Sequence, residues 1–236
     1  MIPKKLHFTY ATKDLPSKYQ ENLKVWQKMC PDWELCFYSD EEISELFANH
    51  FPQYSALLPK IPYGAMLADF FRYAVLYAEG GLYSDIDTVP LKPIPEEWLA
   101  FDGVIGYEYQ PSKFPDSYRY PWNEKEFLCQ WTLLSKPGYF LFKEALAEAF
   151  RRLERLNFQA KSIFDGLNTA GPLLLTDVAL PYQERKELLF LDADFFGCRE
   201  DEHFPFTKRS VIAHQCDGKD RWMVQVKLSH LNLGYG

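Results

Sequence analysis

Residues 63 to 87 read Y-G-A-M-L-A-D-F-F-R-Y-A-V-L-Y-A-E-G-G-L-Y-S-D-I-D, and the fold turns on how this stretch is parsed. From Tyr63 to Glu79 it is apolar almost all round, which predicts a helix buried in a domain interior. Asp69 and Arg72 interrupt that character. Spaced i and i+3 they share one face, and two charges are not buried there without partners or a task. Gly80 and Gly81 then stop the helix, since glycine takes up positive φ without strain. Leu82 to Ile86 reads as a short strand, and Asp85 and Asp87 would point to one side if it stayed regular. Such a carboxylate pair is a hard-oxygen site suited to Mg2+ or Mn2+, ions that bind through one or two carboxylates plus substrate phosphates.

Asp-x-Asp alone is a common chance pattern, often no more than a solvated turn. Joined at fixed spacing to a buried Asp-x-x-Arg helix and a Gly-Gly stop, it becomes specific. In that combination the chain resembles glycosyltransferase family 32, the DXD-motif sugar-binding group that includes the yeast-type initiating mannosyltransferases, with a more distant likeness to the large glucosylating toxins. The family pattern runs approximately S-D-x-x-R-x-x-x-L-x-x-x-G-G-x-Y-x-D-x-D. Asp69, Arg72, Leu76, Gly80, Gly81, Tyr83, Asp85 and Asp87 match it, and Ala68 stands in place of the serine. The opening I-P-K-K-L-H-F-T-Y is similar to the family's first strand, with Tyr10 where tryptophan is usual. C-P-D-W-E-L-C-F-Y-S-D, residues 30 to 40, is similar to its second strand. Gly171-Pro172 resembles a later Gly-Pro that opens a helix near the donor sugar, and A-H-Q-C-D-G-K-D-R-W places His214 and Trp222 like the family's C-terminal His and Trp.

The resemblance implies an α/β fold of the glycosyltransferase-A type, a mixed, mainly parallel sheet flanked by helices, with residues 1–236 forming a single catalytic domain. It implies a metal-dependent retaining glycosyltransferase that moves a hexose from a nucleotide sugar, a UDP-hexose or GDP-mannose, to a saccharide, lipid-linked saccharide or other hydroxyl acceptor. Carried over residue by residue, Asp87 holds Mn2+ or Mg2+, Asp85 meets the metal or the ribose, and His214 is a third ligand. Thr9, Tyr10 and Tyr83 line the nucleotide and donor side, and Lys219 and Trp222 close over the diphosphate. Asp69 and Arg72 grip donor-sugar hydroxyls. Asn168 and Asp165, just before Gly171, either touch the sugar or cap the next helix. Asp69 and Arg72 also have a plain reading as an internal ion pair, and His214 one as a hydrogen-bonded core histidine. Double displacement and internal return both remain open for the retaining step.

Composition bounds the alternatives. With 47% hydrophobic and 17% aromatic residues the chain has ample material for a core. No run approaches the roughly 18–20 apolar residues of a membrane span. A formal charge of −7 argues against a general nucleic-acid binder, whose footprint is basic. The five cysteines are scattered without C-x-x-C, so neither a zinc ribbon nor a disulfide framework is indicated. Met1 leads straight into Ile2-Pro3-Lys4-Lys5 without an apolar signal region, so a cytoplasmic place is expected, with peripheral contact at the membrane surface open to it. Three rival readings are an effector that glycosylates a protein, a non-catalytic glycan- or nucleotide-sugar-binding module, and a haloacid-dehalogenase-like phosphatase. The last is suggested by S-D-I-D-T-V but lacks a later Gly-Asp-x-x-x-Asp motif.

Along the chain, strands are expected at Lys5 to Tyr10, Leu35 to Tyr38, Val104 to Glu108, Leu188 to Leu191 and Val211 to His214. Helices are expected at Ser17 to Met29, from Ser39-Asp40 to about Phe51, near Glu124 to Leu134, and from Gly138 to Leu156. The segment from Tyr109 to Asn123, rich in proline, tyrosine and serine, reads as a long loop of the kind that forms a lid or acceptor side. A second Asp-x-Asp, Asp192 and Asp194, lacks the flanking elements and reads as a structural turn.

Overall fold

A computed structural model of the chain describes residues 1–116, 125–196 and 205–217. Its first half runs β1 (Lys5–Thr9), α1 (Ser17–Met29), β2 (Glu34–Tyr38), α2 (Asp40–His50), the short α3 (Pro52–Ser55), α4 (Gly64–Ala78), β3 (Gly81–Ser84) and β4 (Thr88–Pro90). After β5 (Gly103–Tyr109) and β6 (Phe127–Ser135) come α5 (Phe140–Arg155), α6 (Ile163–Thr169), α7 (Pro172–Ala179), β7 (Leu188–Leu191), the single turn α8 (Ala193–Phe196) and β8 (Ile212–His214). Six strands form one sheet in the order β2-β1-β3-β6-β5-β7. Its pairings are parallel except those made by β6, which runs against its neighbours. β4 and β8 form a separate antiparallel ladder that sets Thr88 opposite His214.

Side-chain alternation along the strands divides the core between the sheet's two faces. Tyr83, Ile105 and Leu133 face a cluster built with α2, α4, α5 and α7, while their chain neighbours Leu82, Val104 and Leu134 face one built with Trp26, Trp98 and Phe196. α4 lies in the first cluster, with Met66, Phe70, Phe71, Tyr73, Val75 and Leu76 all fully buried. Each such side chain contributes about 1.5–3 kcal/mol of transfer free energy. This is why the stretch has no polar face. α2 starts at a capping box, in which the Ser39 N–H donates to Glu42 Oε2 at 2.9 Å, and α7 starts with Pro172 in its first turn.

The Gly-Gly pair does more than end α4. Gly80 has φ +66° and Gly81 φ +102°, and a Cβ on Gly81 would lie 2.7 Å from the Lys5 carbonyl oxygen. Only glycine lets the chain leave the helix and enter the sheet between β1 and β6 at that distance. The turn is pinned from β1, where His7 Nε2–H donates to the Gly80 carbonyl at 2.7 Å.

Two expectations are corrected. The segment near Glu124 to Leu134 is not a helix; from Phe127 it forms β6, the nine-residue strand at the centre of the sheet. Both its faces are buried, so the two-residue alternation that marks a half-exposed strand is missing. The strand expected over Leu82 to Ile86 stops at Ser84. Asp85 to Asp87 form a tight turn closed by the Thr88 N–H and Thr88 Oγ1, which donate to the Asp85 carbonyl at 3.1 and 2.6 Å. Of the expected long loop, the described part begins as a turn in which the N–H groups of Lys113 and Phe114 donate to the Gln110 carbonyl; residues 117–123 lie outside the described residues. Among the described residues no helix is long and apolar enough to cross a membrane.

Candidate functional site

Thr9 ends β1, Ser84 ends β3 and Glu108 stands one residue from the end of β5. Around these C-terminal strand ends, where open α/β sheets receive their ligands, lies a cavity of about 380 Å³. Its wall includes Thr9, Tyr10, Asp69, Arg72, Tyr83, Asp85, Asp87 and His214, eight residues singled out from the sequence.

Charge organises one side of this wall. Arg72 is buried, and its Nη2 lies 2.9 Å from Asp69 Oδ1 and 3.1 Å from Asp85 Oδ1. Its Nη1 donates to the Gln130 carbonyl at 2.9 Å, and its guanidinium lies 4.8 Å from the centre of the Tyr83 ring. Tyr83 Oη donates to Asp85 Oδ1 at 2.7 Å. The helix pair is thus an ion pair and a cavity wall at once. It reaches forward to the first aspartate of the DXD turn. Burial pushes the Asp69 carboxyl up to about 7 against the pull of Arg72, and burial likewise raises Asp85 above the ordinary carboxylate range.

Asp87 is held differently. Its Oδ1 lies 3.0 Å from His214 Nε2, and its Oδ2 accepts from the Asp217 N–H at 3.0 Å. Its carbonyl accepts from the Gln215 N–H at 2.8 Å. Burial alone would raise Asp87, but the imidazole and these hydrogen bonds outweigh it and hold the carboxyl below its usual value. For His214 burial works against protonation, yet the Asp87 carboxylate lifts the imidazole to about 10. Trp131 stacks on the ring, 4.9 Å between centroids at 15°. Asp85, Asp87 and His214 each offer one ligand atom, and these atoms lie within 4.8 Å of one another. Two carboxylate oxygens and an imidazole nitrogen, on a cavity wall, make a donor set that fits a divalent cation.

The remaining sequence candidates fall elsewhere. Asn168 does not line the cavity: Arg152 Nη1 donates to its Oδ1 at 3.0 Å and to its carbonyl at 2.8 Å, turning the amide toward α5. Asp165 caps α6, accepting from the N–H groups of Lys161 and Ser162 at 2.7 and 2.8 Å. Lys219 and Trp222 lie outside the described residues. The second pair, Asp192 and Asp194, is tied to Arg209 and, through Asp192, to Lys113; Asp194 also accepts from Thr207 Oγ1 at 2.6 Å.

Several wall residues had not been singled out. Gln130 and Trp131 come from β6, the strand read as a helix, and a strand reading of F-L-C-Q-W-T-L-L-S would have put these neighbours on opposite faces. Tyr63, Phe127 and Glu108 also line the cavity, and Tyr19 packs beside Tyr10 at 5.6 Å between ring centroids. None of these carries a local sequence signal.

Comparison with known proteins bears on this arrangement directly. Residues 16–105, from α1 into β5, match the family model described as glycosyltransferase sugar-binding region containing DXD motif. Residues 16–105 are a DXD-type glycosyltransferase sugar-binding region. It is 29% identical over 192 residues to the initiation-specific alpha-1,6-mannosyltransferase of Candida albicans, covering 72% of this chain and 49% of that protein. It is 30% identical over 174 residues to the enzyme of the same name from Schizosaccharomyces pombe, covering 67% of this chain and 43% of that protein. This glycosyltransferase domain therefore spans about half the length of the curated relatives it matches or less. The UDP-bound glycosyltransferase domain of the YGT toxin superposes with a TM-score of 0.52 at 11% identity, covering 80% of this chain and 79% of that one. That similarity supports the glycosyltransferase-A type of fold. The match over residues 16–105 also removes the phosphatase reading of S-D-I-D-T-V, since the same residues are the DXD turn of a sugar-binding region.

Proposed function

We propose that residues 1–236 act as one catalytic domain that transfers a hexose from a nucleotide sugar to a hydroxyl acceptor, with retention and with a divalent metal. The observation that carries this reading is the convergence of Asp85, Asp87 and His214 within 4.8 Å on the wall of the cavity that also holds the Asp69–Arg72 pair. Mn2+ suits a set containing an imidazole nitrogen better than Mg2+, which favours oxygen ligands and its own waters. Bound there, the metal supplies Lewis-acid neutralisation of the diphosphate, worth several kcal/mol in metal enzymes.

The chain's own residues account for the rest. Arg72 is fixed by five contacts, to Asp69, Asp85, the Gln130 and Ala68 carbonyls and the Tyr83 ring, so it presents a rigid donor edge and a preset Asp69 carboxyl to sugar hydroxyls. Rigid positioning of reactants lowers a barrier by up to about 7–11 kcal/mol. Tyr10 and Tyr19 supply aromatic surface for a base beside Thr9. The mannosyltransferase names of the relatives favour a mannosyl donor, hence GDP-mannose ahead of a UDP-hexose, with a glycan or lipid-linked saccharide as acceptor. A thermal-shift panel of nucleotides and nucleotide sugars, each with and without Mn2+, tests the donor. A ligand that stabilises only with metal names it, because binding at about 100 times Kd adds about 2.7 kcal/mol. Stabilisation by no nucleotide sugar would sink the proposal.

A further inference from the structure

The turn that follows His214 is wound around Asp87. Gln215 N–H donates to the Asp87 carbonyl, Asp217 N–H donates to its carboxylate, and α1 holds the same turn from outside through Asn22 to Gln215 Oε1 at 3.2 Å and Lys18 to Asp217 at 2.6 Å. Between the two anchored residues Cys216 has φ +56°, a left-handed conformation that a residue with a Cβ rarely adopts. Its consequence is the position of the thiol. Cys216 Sγ lies 3.3 Å from His214 Nδ1, so the imidazole is held on three sides: Asp87 at Nε2, Cys216 at Nδ1 and Trp131 across one face.

We propose that Cys216 is a positioning residue for His214, fixing the ring so that Nδ1–H donates to Sγ and Nε2 is directed at Asp85 and Asp87 as a metal ligand. The inference rests on the reading of those three residues as the metal site. A ligating histidine works best when its second nitrogen has a fixed partner, which sets both the ring orientation and which nitrogen keeps the proton. A carbonyl or carboxylate usually fills that role. Here a thiol sulfur accepts, and a hydroxyl in its place would accept as well.

Mn2+ titration of the full chain, followed by the electron paramagnetic resonance of free Mn2+, tests this without any turnover. Cys216→Ala should weaken Mn2+ binding by about tenfold, in line with losses at other such partners of metal-ligating histidines. Cys216→Ser should stay close to the wild-type affinity, and the metal-free melting temperature of both variants should be unchanged. Cys216→Gly guards against misfolding, because the left-handed backbone favours glycine and the thiol is equally absent; it should match the alanine variant. Wild-type Mn2+ affinity in the alanine and glycine variants would overturn the role of Cys216 and leave the metal site standing. A serine variant as weak as alanine would also overturn it. Wild-type protein that binds no Mn2+ would remove the metal reading itself, and the role of Cys216 with it.

Discussion

Asp87 and His214 meet at 3.0 Å across 127 residues of chain. The contact joins the DXD turn to the end of β8, and the β4–β8 ladder fixes it by pairing Thr88 with His214. Asp87 is therefore both the anchor of the C-terminal turn and the proposed metal ligand. Asp87→Asn should keep the fold, since the backbone contact through its carbonyl survives, and should lower turnover by at least about a hundredfold as several kcal/mol of charge stabilisation is lost. Steady-state transfer and circular dichroism on the same preparation check both halves.

The Asp69–Arg72 pair allows a sharper separation of stability from chemistry. Removing the guanidinium, as in Arg72→Met, leaves the Asp69 and Asp85 carboxylates without their shared cation and should destabilise the domain by about 3–5 kcal/mol in urea unfolding. Asp69→Asn leaves Arg72 paired with Asp85, so activity should fall far more than melting temperature. A melting loss equal to that of Arg72→Met would reduce the pair to architecture.

For the second aspartate pair the expected pattern is the reverse. Asp194 is 1% exposed and is held by Arg209 and Thr207, so Asp194→Ala should cost about 1.5–3 kcal/mol of stability. Asp192→Asn should leave turnover nearly intact. A folded Asp192→Asn protein without activity would place the chemistry at the wrong turn.

What could be read from the sequence follows the range of the interactions involved. The helix that became Gly64–Ala78, the glycine stop and the DXD pair were legible because each is written in adjacent residues, and Gly81 admits no substitute at φ +102°. β6 was not legible, because a strand buried on both faces shows no alternation, and its loss hid Gln130 and Trp131 from the site. Asn168 was drawn toward the sugar by its nearness to Gly171. Its partner Arg152, 16 residues earlier on α5, was beyond local reading. Cys216 carries a signal only once the turn around Asp87 is known.

Stability should respond to pH through His7. Burial lowers the pKa of this imidazole, which stays neutral while Nε2–H donates to the Gly80 carbonyl. Below the unfolded value of about 6.5 the unfolded chain takes up a proton that the folded protein refuses at this site, so the contribution of His7 to stability falls as pH drops through that value and is level above it. His214 and Asp69, both raised in the fold, change stability in the opposite sense, so the effect of His7 is read as the difference between wild type and His7→Gln in urea midpoints from about pH 8 to about pH 5. Wild type should lose stability relative to His7→Gln as pH drops. An unchanged slope in the variant would assign the acid sensitivity to other groups.

In the proposed function, Asp85, Asp87 and His214 hold a metal that the nucleotide needs. Calorimetric titration of GDP and UDP into the wild-type domain, once with Mn2+ and once with EDTA, addresses it most directly. At least one nucleotide should bind with Mn2+, lose at least about tenfold in affinity with EDTA, and show the same loss in Asp87→Asn with Mn2+ present. Equal affinity with metal and with chelator would contradict it.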